Sequence, residues 1–195
     1  MPEIKTVKEH IAWSYANLAG AHNAVEVGAK KYGRLQYMIR ARLFKGLASG
    51  SMSVGSIYDD EKIKYKYPKS CCYCGSIERL NMDHLIPRNR GGLDHADNIV
   101  WACTSCNSSK RDQDVLSWLK KKNVVPSILL LRRYLKLVLR YCTELNILEF
   151  PLEEAYKLDL PFELKNLPYK LEDLGERALW VEPISSAEKL EAIKG

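Results

Sequence analysis

The sequence lacks any uncharged apolar segment of the roughly 18 residues that a membrane-spanning helix needs. Its most apolar stretch, Val124 to Leu139, is interrupted by Arg132, Arg133 and Lys136. Residues Met1 to Thr6 also lack a basic segment followed by an apolar one, which is the pattern of a secretory signal. These absences argue against a membrane-spanning or exported protein, and we expect a cytoplasmic location without membrane contact.

Cysteine is also scarce, because the 195 residues contain only 6. This is far below the cysteine content of a small protein stapled by disulfides. The sequence has no low-complexity tract and no internal repeat of domain size, which argues against disorder and repeat architectures. With 46% hydrophobic and 28% charged residues, the composition is typical of a globular protein. The length suits one domain with appendages or two small domains.

The charge is distributed unevenly along the chain. Residues 1–149 carry 24 basic and 14 acidic side chains, a net charge of +10. Residues 150–195 carry 6 basic and 10 acidic side chains, a net charge of −4. A cationic body favours a polyanionic partner, although lysines scattered over a solvated surface would give the same count. Charge alone leaves both interpretations open.

Apolar residues at helical spacing predict two helices between Val7 and Ser49, with a break near Gly28 or Gly33. The same spacing predicts a long helix from Val124 to Leu148, with Pro126 in its first turn. Residues 62–69 alternate lysine with isoleucine and tyrosine, which favours a short basic strand or an extended segment. The prolines after residue 150 predict extended pieces and short helices laid over the body or over a partner.

Four of the cysteines form two C-x-x-C pairs, Cys71 with Cys74 and Cys103 with Cys106. Two such pairs can place four thiolates tetrahedrally around Zn²⁺, and a site closed in this way is structural. Redox-active pairs and buried free thiols are the alternatives, but the repeated pair favours zinc in a reducing compartment. Cys142 lies in an apolar helical stretch and is expected to be a core thiol.

The segment between and after the pairs contains several further elements in a fixed order. The cysteine pairs enclose D-H-x-x-P at Asp83–Pro87, a glycine pair at Gly91–Gly92 and D-N-I-V at Asp97–Val100. The second pair continues as C-x-x-C-N-x-x-K, ending at Lys110. Over about residues 70–115, this order resembles the HNH endonucleases, which have a ββα-metal active site, in their four-cysteine form. The ordered set is much more specific than any one of its elements.

The resemblance implies a role for each matching residue. His84 would be the general base that activates water, and Asp83 and Asn107 would supply oxygen ligands to one catalytic Mg²⁺ or Mn²⁺ ion. Asn98 would orient the histidine and its loop, acting as part of the catalytic set without chemical work of its own. Asn107 replaces the last histidine of the family name, an H-N-N variation that keeps an oxygen ligand and favours Mg²⁺ or Mn²⁺. Cys71, Cys74, Cys103 and Cys106 would hold the structural Zn²⁺.

The implied fold is α+β, with a small zinc-stabilised ββα-metal core embedded between mainly helical flanking regions. We divide the chain into a helical N-terminal region (1–60), the nuclease core (61–122), a basic helix (123–149) and an acidic tail containing proline and leucine (150–195). Within the core we expect strands over Ile77–His84 and Asn98–Ala102. A helix should follow Cys106, with Asn107 near its start, and the first strand should end or bend at the histidine.

Basic residues around the motif could contact phosphates or could be ordinary solvated charges; they are Arg88, Arg90, Lys110 and Arg111. In the flanks, the basic residues that could lie beside a duplex are Arg40, Arg42, Lys45 and the run Lys120, Lys121 and Lys122. A helix carrying Arg132, Arg133, Lys136 and Arg140 could do the same or face solvent. The sequence contains no recognition motif that we can name.

The function that these residues predict is metal-dependent hydrolysis of phosphodiester bonds in DNA, in restriction or phage defence. Two alternatives stay open: a non-catalytic, zinc-stabilised nucleic-acid-binding module, and a nuclease directed at RNA. One active site cuts one strand, so a homodimer is compatible with a double-strand break. A partner subunit could instead dock on the acidic tail.

Overall fold

The computed structural model describes residues 2–55, 62, 66–172, 174–175 and 177–185. These residues form a mixed structure in which helices surround one antiparallel two-stranded sheet. The strands are β1 (Leu80–His84) and β2 (Ile99–Cys103), and the helices are α1 (Val7–Glu26), α2 (Arg34–Ser49), α3 (Thr104–Lys110), α4 (Val115–Lys121), α5 (Ile128–Glu144) and α6 (Leu152–Ala155). The predicted α+β fold class, with a small core between helical flanks, is confirmed.

The first two helices form a hairpin, with the break where the sequence predicts it. Thr6 caps α1 through a reciprocal pair of hydrogen bonds with Glu9. Gly28 follows the helix with φ +70°, a conformation that favours glycine, and Gly33 precedes α2. In the described part of the chain, no helix has the length and apolar character required to cross a membrane.

Strands β1 and β2 pair so that Asp83 lies opposite Val100 and His84 opposite Ile99. β1 is shorter than the predicted Ile77–His84, since Arg79 has φ +48° and interrupts extended backbone. The strand ends at His84, as expected from the need to bring neighbouring side chains to one site. The chain then leaves the sheet and returns through a turn at Ala96–Asn98.

Two short helices follow β2, where the sequence analysis expected one. Arg111 has φ +53° and ends α3, and Asp114 starts α4 by accepting a hydrogen bond from the Ser117 amide at 2.8 Å. The prediction of one helix after Cys106, with Asn107 near its start, is therefore wrong, because α3 already begins at Thr104. Asn107 lies in the middle of the seven-residue α3.

Helix α5 is a core element, and the prediction that its basic side chains flank a duplex or face solvent is wrong for Arg133 and Lys136, whereas Arg132 and Arg140 are partly exposed. Arg133 and Lys136 are only 5% and 3% exposed. The Arg133 guanidinium donates hydrogen bonds to the carbonyl oxygens of Ala96 and Asp97 at 2.5 and 2.6 Å. The helix begins at Ile128 with a Ser127 cap, so Pro126 precedes it and is not part of its first turn.

The described part of the tail covers the body with short pieces, as its prolines predict. Leucines are buried along it, namely Leu160, Leu164, Leu167, Leu171 and Leu174. Ile184 forms a bridge with Ser76, beside the first cysteine pair. The predicted strand at 62–69 falls partly on residues 63–65, which lie outside the described residues, and residues 67–69 are not in a strand. The four region boundaries stay predictions.

Replacing Arg133 tests whether α5 supports the turn before β2. Arg133→Met keeps an apolar stem but leaves two carbonyls without their donor, so we expect the free energy of unfolding to fall by about 2–3 kcal/mol. Urea denaturation measures the change. Arg42→Met is the matched control, because an exposed helical arginine should shift stability by less than about 0.5 kcal/mol. Equal losses in both variants would contradict the assigned role of Arg133.

Candidate active site and zinc centre

The sequence-predicted zinc ligands come together in the structure. The sulfurs of Cys71, Cys74, Cys103 and Cys106 all lie within 4.8 Å of one another. The Cys74 and Cys103 sulfurs are 3.7 Å apart. Four sulfurs at about 2.3 Å from a tetrahedral Zn²⁺ would be separated by about 3.8 Å. The arrangement therefore fits a closed, structural zinc site.

The local backbone explains how the first cysteine pair reaches the sheet. The Gly75 amide donates to the Cys71 carbonyl and the Cys71 amide to the Ser76 carbonyl, each at 2.8 Å, which closes a tight turn. Gly75 has φ +77°, and a Cβ there would lie 2.1 Å from the Glu182 carbonyl oxygen. The Cys72 amide donates to the Trp101 carbonyl at 2.9 Å, so the turn is joined directly to β2.

The protonation of the cysteines is coupled through their contacts. Hydrogen bonds with Cys106 and Cys71 lower the pKa of the Cys74 thiol. Hydrogen bonds with Cys71 and Cys74, together with burial, raise the pKa of Cys106 far above its usual value. Four thiolates cannot coexist here without a compensating cation, and a bound Zn²⁺ supplies that charge while releasing the remaining protons.

Asp83 lies at the centre of a buried polar network. Its side chain is 6% exposed, and Oδ2 accepts a hydrogen bond from the Tyr73 hydroxyl at 2.6 Å. Oδ1 lies 3.0 Å from the ammonium group of Lys110, which also donates to the His84 carbonyl at 2.8 Å. The carboxylate thus has both a hydrogen-bond donor and a counter-charge. The network also fixes the backbone that carries His84.

His84 has a carboxylate partner that the sequence analysis did not predict. Its Nε2 lies 2.8 Å from Asp94 Oδ1, and the other oxygen of Asp94 lies 3.3 Å from the Arg88 guanidinium. The hydrogen bond with His84, followed by the charge of Arg88, lowers the pKa of the Asp94 carboxyl. Asp94 is therefore ionised at neutral pH and available to orient the imidazole.

Asn98 is buried in the loop that follows His84. Its amide oxygen accepts from the Ile86 amide at 2.9 Å, and its amide nitrogen donates to the carbonyls of Ile86 and Leu93 at 2.8 and 2.9 Å. The Leu85 amide donates to the backbone carbonyl of Asn98 at 2.9 Å. The Asn98 side chain therefore fixes the loop that follows β1 at Ile86, two residues after His84.

One open cleft contains several of the predicted site residues. It is lined by Asp83, His84, Pro87, Arg88, Asn89, Lys110, Arg111 and Asp112. Asn98 and Asn107 are not among these lining residues. The amide nitrogen of Asn107 donates to the Met82 carbonyl of β1 at 3.3 Å. The structure thus brings Asp83 and His84 to one cleft and ties Asn107 to the same strand.

The four predicted phosphate-contacting residues divide into two pairs. Arg88 and Arg111 are exposed and line the cleft. Lys110 is fully buried against Asp83, which disagrees with a phosphate contact in this arrangement. Arg90 bonds to the Leu160 carbonyl at 2.9 Å and to Asp159 at 3.2 Å, so its contacts are with the tail.

Sequence reasoning missed Tyr73 and Asp94. Tyr73 lies inside the first cysteine pair, and the turn that holds the zinc ligands turns its hydroxyl toward Asp83. Asp94 lies in the loop L-D-H-A-D between the glycine pair and D-N-I-V. An acidic residue near the glycine pair was the available signal, but no local periodicity predicts its contact with His84.

Loss of the sulfur ligands should remove zinc and the fold of the core together, because binding energy at a structural site is coupled to folding. We expect Cys103→Ser to lose its bound zinc and much of its far-ultraviolet circular dichroism. Metal analysis of the purified protein and circular dichroism measure the two effects.

Cys142→Ala is the matched control for this zinc prediction. It removes a buried thiol that is not one of the four clustered cysteines, so the zinc content should not change. A Cys103→Ser protein with its full zinc content and native spectrum would rule out the proposed ligand set.

Comparison with known proteins agrees with this geometry. Residues 71–113 match the family model described as HNH endonuclease. A curated relative, the CRISPR-associated endonuclease Cas9 of Corynebacterium diphtheriae, is 34% identical over 58 residues, which is 28% of this chain. The matched part is only 5% of that relative's length. No solved structure matches the chain. The resemblance seen in the motifs is confirmed by the match of residues 71–113 to the HNH endonuclease model, and the four-cysteine cluster fits the zinc form of that family.

Proposed function

We propose that the protein is a metal-dependent endonuclease that hydrolyses phosphodiester bonds in DNA. The observation that carries this proposal is the cleft in which Asp83 and His84 lie beside two exposed arginines, Arg88 and Arg111. The zinc-type cysteine cluster joins the same hairpin and helix. Nuclease chemistry requires a base, a charged anchor for phosphate and a rigid support, and the proposal assigns these roles to His84, to the two arginines and to the cysteine cluster.

His84 is the proposed general base. In the tautomer that donates Nε2–H to Asp94, the Nδ1 lone pair is free to accept a proton from an attacking water. Imidazole exchanges protons near neutral pH, which suits this task. Asp94 then holds the ring and stabilises the imidazolium that forms, so the pair has the relation of a base and its orienting group.

Asp83 and Asn107 are the proposed ligands of a catalytic Mg²⁺ or Mn²⁺ ion. Carboxylate and amide oxygens are the hard donors that these ions prefer. Both oxygens of Asp83 already accept hydrogen bonds, Oδ1 from Lys110 at 3.0 Å and Oδ2 from Tyr73 at 2.6 Å, so an ion would use their remaining lone pairs or displace the ammonium group. When bound, such an ion would stabilise the negative charge that develops on the phosphate and on the leaving oxygen.

The cationic rim of the cleft supports a nucleic-acid substrate. Arg88 and Arg111 can contact phosphates without reading sequence. DNA is the proposed substrate, and matched digestion of DNA and RNA separates it from the RNA alternative. A role in restriction or phage defence, a homodimer and a partner subunit all stay predictions.

The first test is plasmid nicking with Mg²⁺ or Mn²⁺. We expect His84→Ala to lower the nicking rate by a factor of about 10²–10⁴, the usual contribution of general base catalysis. Gel analysis of supercoiled, nicked and linear plasmid measures the rate. Asp83→Asn and Asn107→Ala should also be inactive while retaining zinc and native circular dichroism. Identical products from wild type and His84→Ala would leave the non-catalytic binding module as the better explanation.

A second variant tests the orienting role of Asp94. Asp94→Asn removes the charge that fixes the imidazole, and misplacement of a catalytic group by about 1 Å can cost on the order of a hundredfold in rate. We therefore expect a loss of about tenfold to a hundredfold in single-turnover nicking. Asp112 lines the cleft, and Asp112→Asn also removes one negative charge but leaves the His84–Asp94 bond intact. Equal losses in the two variants would show that only the charge of the cleft matters.

A further inference from the structure

Helix α2 has a continuous exposed face that does not line the nuclease cleft. The exposed positions recur at helical spacing and therefore lie on one side of the helix. They are Arg34, Leu35, Tyr37, Met38, Ala41, Arg42 and Lys45. Leu35 and Met38 are 55% and 58% exposed, although both are large and apolar. The face thus combines three cations with a small group of apolar and aromatic side chains.

The charge of this face is not offset by acidic residues on the same segment. No aspartate or glutamate occurs between Glu26 and Asp59 along the chain. Lys30 and Lys31 precede the helix, and the first turn of α2 contains no acidic side chain. The positive end of the helix dipole adds to their field at the N-terminus. All the formal charges between Glu26 and Asp59 are therefore positive. Residues 115–143 likewise contain no acidic side chain, but Arg133 and Lys136 of that segment are buried.

The opposite side of α2 holds the helix in a fixed orientation. The guanidinium of Arg40 lies 4.7 Å from the Trp13 ring centroid and forms an ion pair with Glu172 at 2.5 Å. Phe44 packs edge-on against Trp13 with ring centroids 5.2 Å apart. Gln36 donates to Asn23 of α1 at 2.8 Å. The Arg40 side chain packs against the body of the protein and cannot flank a duplex. Its contacts fix the helix so that Arg34, Arg42 and Lys45 lie on the exposed side.

We propose that the exposed face of α2 is a second DNA-docking surface, which binds the phosphate backbone of a duplex. This inference rests on the proposed function for the choice of DNA as the polyanion. The 16 residues of α2 have a length of about 24 Å at ~1.5 Å per residue. The major groove of B-DNA, roughly 12 Å wide, admits an α-helix with cations facing the phosphates on either side.

The apolar part of the face is compatible with this occupant. Leu35 and Met38 can contact thymine methyl groups or sugars, while Arg34, Arg42 and Lys45 supply charge. A helix that lies on a lipid surface normally carries a broad apolar face opposite its charges. On α2 the cations and the exposed apolar residues share one side, and the opposite side is packed against α1. Charge complementarity therefore favours DNA over a membrane.

The experiment measures duplex binding in the full chain without cleavage. His84→Ala supplies the background, and fluorescence anisotropy of a labelled duplex is recorded over a range of salt concentrations. The test variant carries Arg34→Gln, Arg42→Gln and Lys45→Gln. The control carries Lys5→Gln, Lys8→Gln and Lys157→Gln, which removes the same charge elsewhere. Two of the control lysines form ion pairs, with Glu3 and Glu149.

The logarithm of the binding constant falls as the logarithm of the salt concentration rises, and each lost phosphate contact should make this negative slope shallower by about 0.9. We expect the slope of the α2 variant to be shallower by about 2–3. The variant should also bind at least about tenfold more weakly at ~0.1 M salt, with a smaller change in the control. Circular dichroism checks that both remain folded.

Three results would overturn the inference. The α2 variant could match the control in slope and affinity, or the unmodified background could fail to bind duplex at low salt. The α2 variant could also bind DNA normally but lose sedimentation with phosphatidylserine vesicles, which would assign the face to a lipid surface. Absence of plasmid cleavage by wild type would contradict the proposed function and would leave a salt-dependent α2 effect intact. Normal plasmid cleavage by the wild type, together with an unchanged salt slope in the α2 variant, would support the proposed function and contradict the inference about α2.

Discussion

The four-sulfur cluster is the constraint on which the rest of the site depends. A two-stranded hairpin is marginally stable by itself, and a helix of seven residues such as α3 is too short to persist in isolation. Cys103 ends β2, and Cys106 lies inside α3. The turn that carries the other pair is joined to β2 by the hydrogen bond from the Cys72 amide to the Trp101 carbonyl. A metal held by these sulfurs therefore fixes strand, helix and turn against one another. It does so without placing an open coordination position near the cleft.

The second constraint is the buried charge of Asp83. A carboxylate withdrawn from water is costly unless it is paired and hydrogen-bonded, and Lys110 and Tyr73 supply both conditions. Because the same ammonium group also bonds to the His84 carbonyl, the charge pair positions the backbone of the proposed base. A divalent ion at Asp83 would meet the positive charge of Lys110. Either the ammonium moves away when the ion binds, or the ion uses the lone pairs that Lys110 leaves open.

The sequence was sufficient for the parts of the site whose spacing is local. The cysteine pairs, the hairpin with Asp83 and His84, and the break between α1 and α2 follow from motifs and glycines within a few residues. It was not sufficient for contacts between distant segments. Arg133 reaches carbonyls 36 and 37 residues away, and Arg90 reaches Leu160, 70 residues away. Helical periodicity places a cation on a helix but cannot say whether a loop will cover it.

This limit changes how the net charge of the body should be understood. The +10 of residues 1–149 suggests a broadly cationic surface, but the structure uses many of those charges internally. Lys110, Arg133 and Lys136 are buried, and Arg40 and Arg90 bond to the tail. Since a buried or paired cation contributes little to the outer field, the attraction for a polyanion is concentrated where unburied cations remain together. The outer face of α2 is such a place, and the cleft adds the exposed Arg111, whereas Arg88 there is paired with Asp94. A duplex would therefore meet the protein through local patches and not through its average charge.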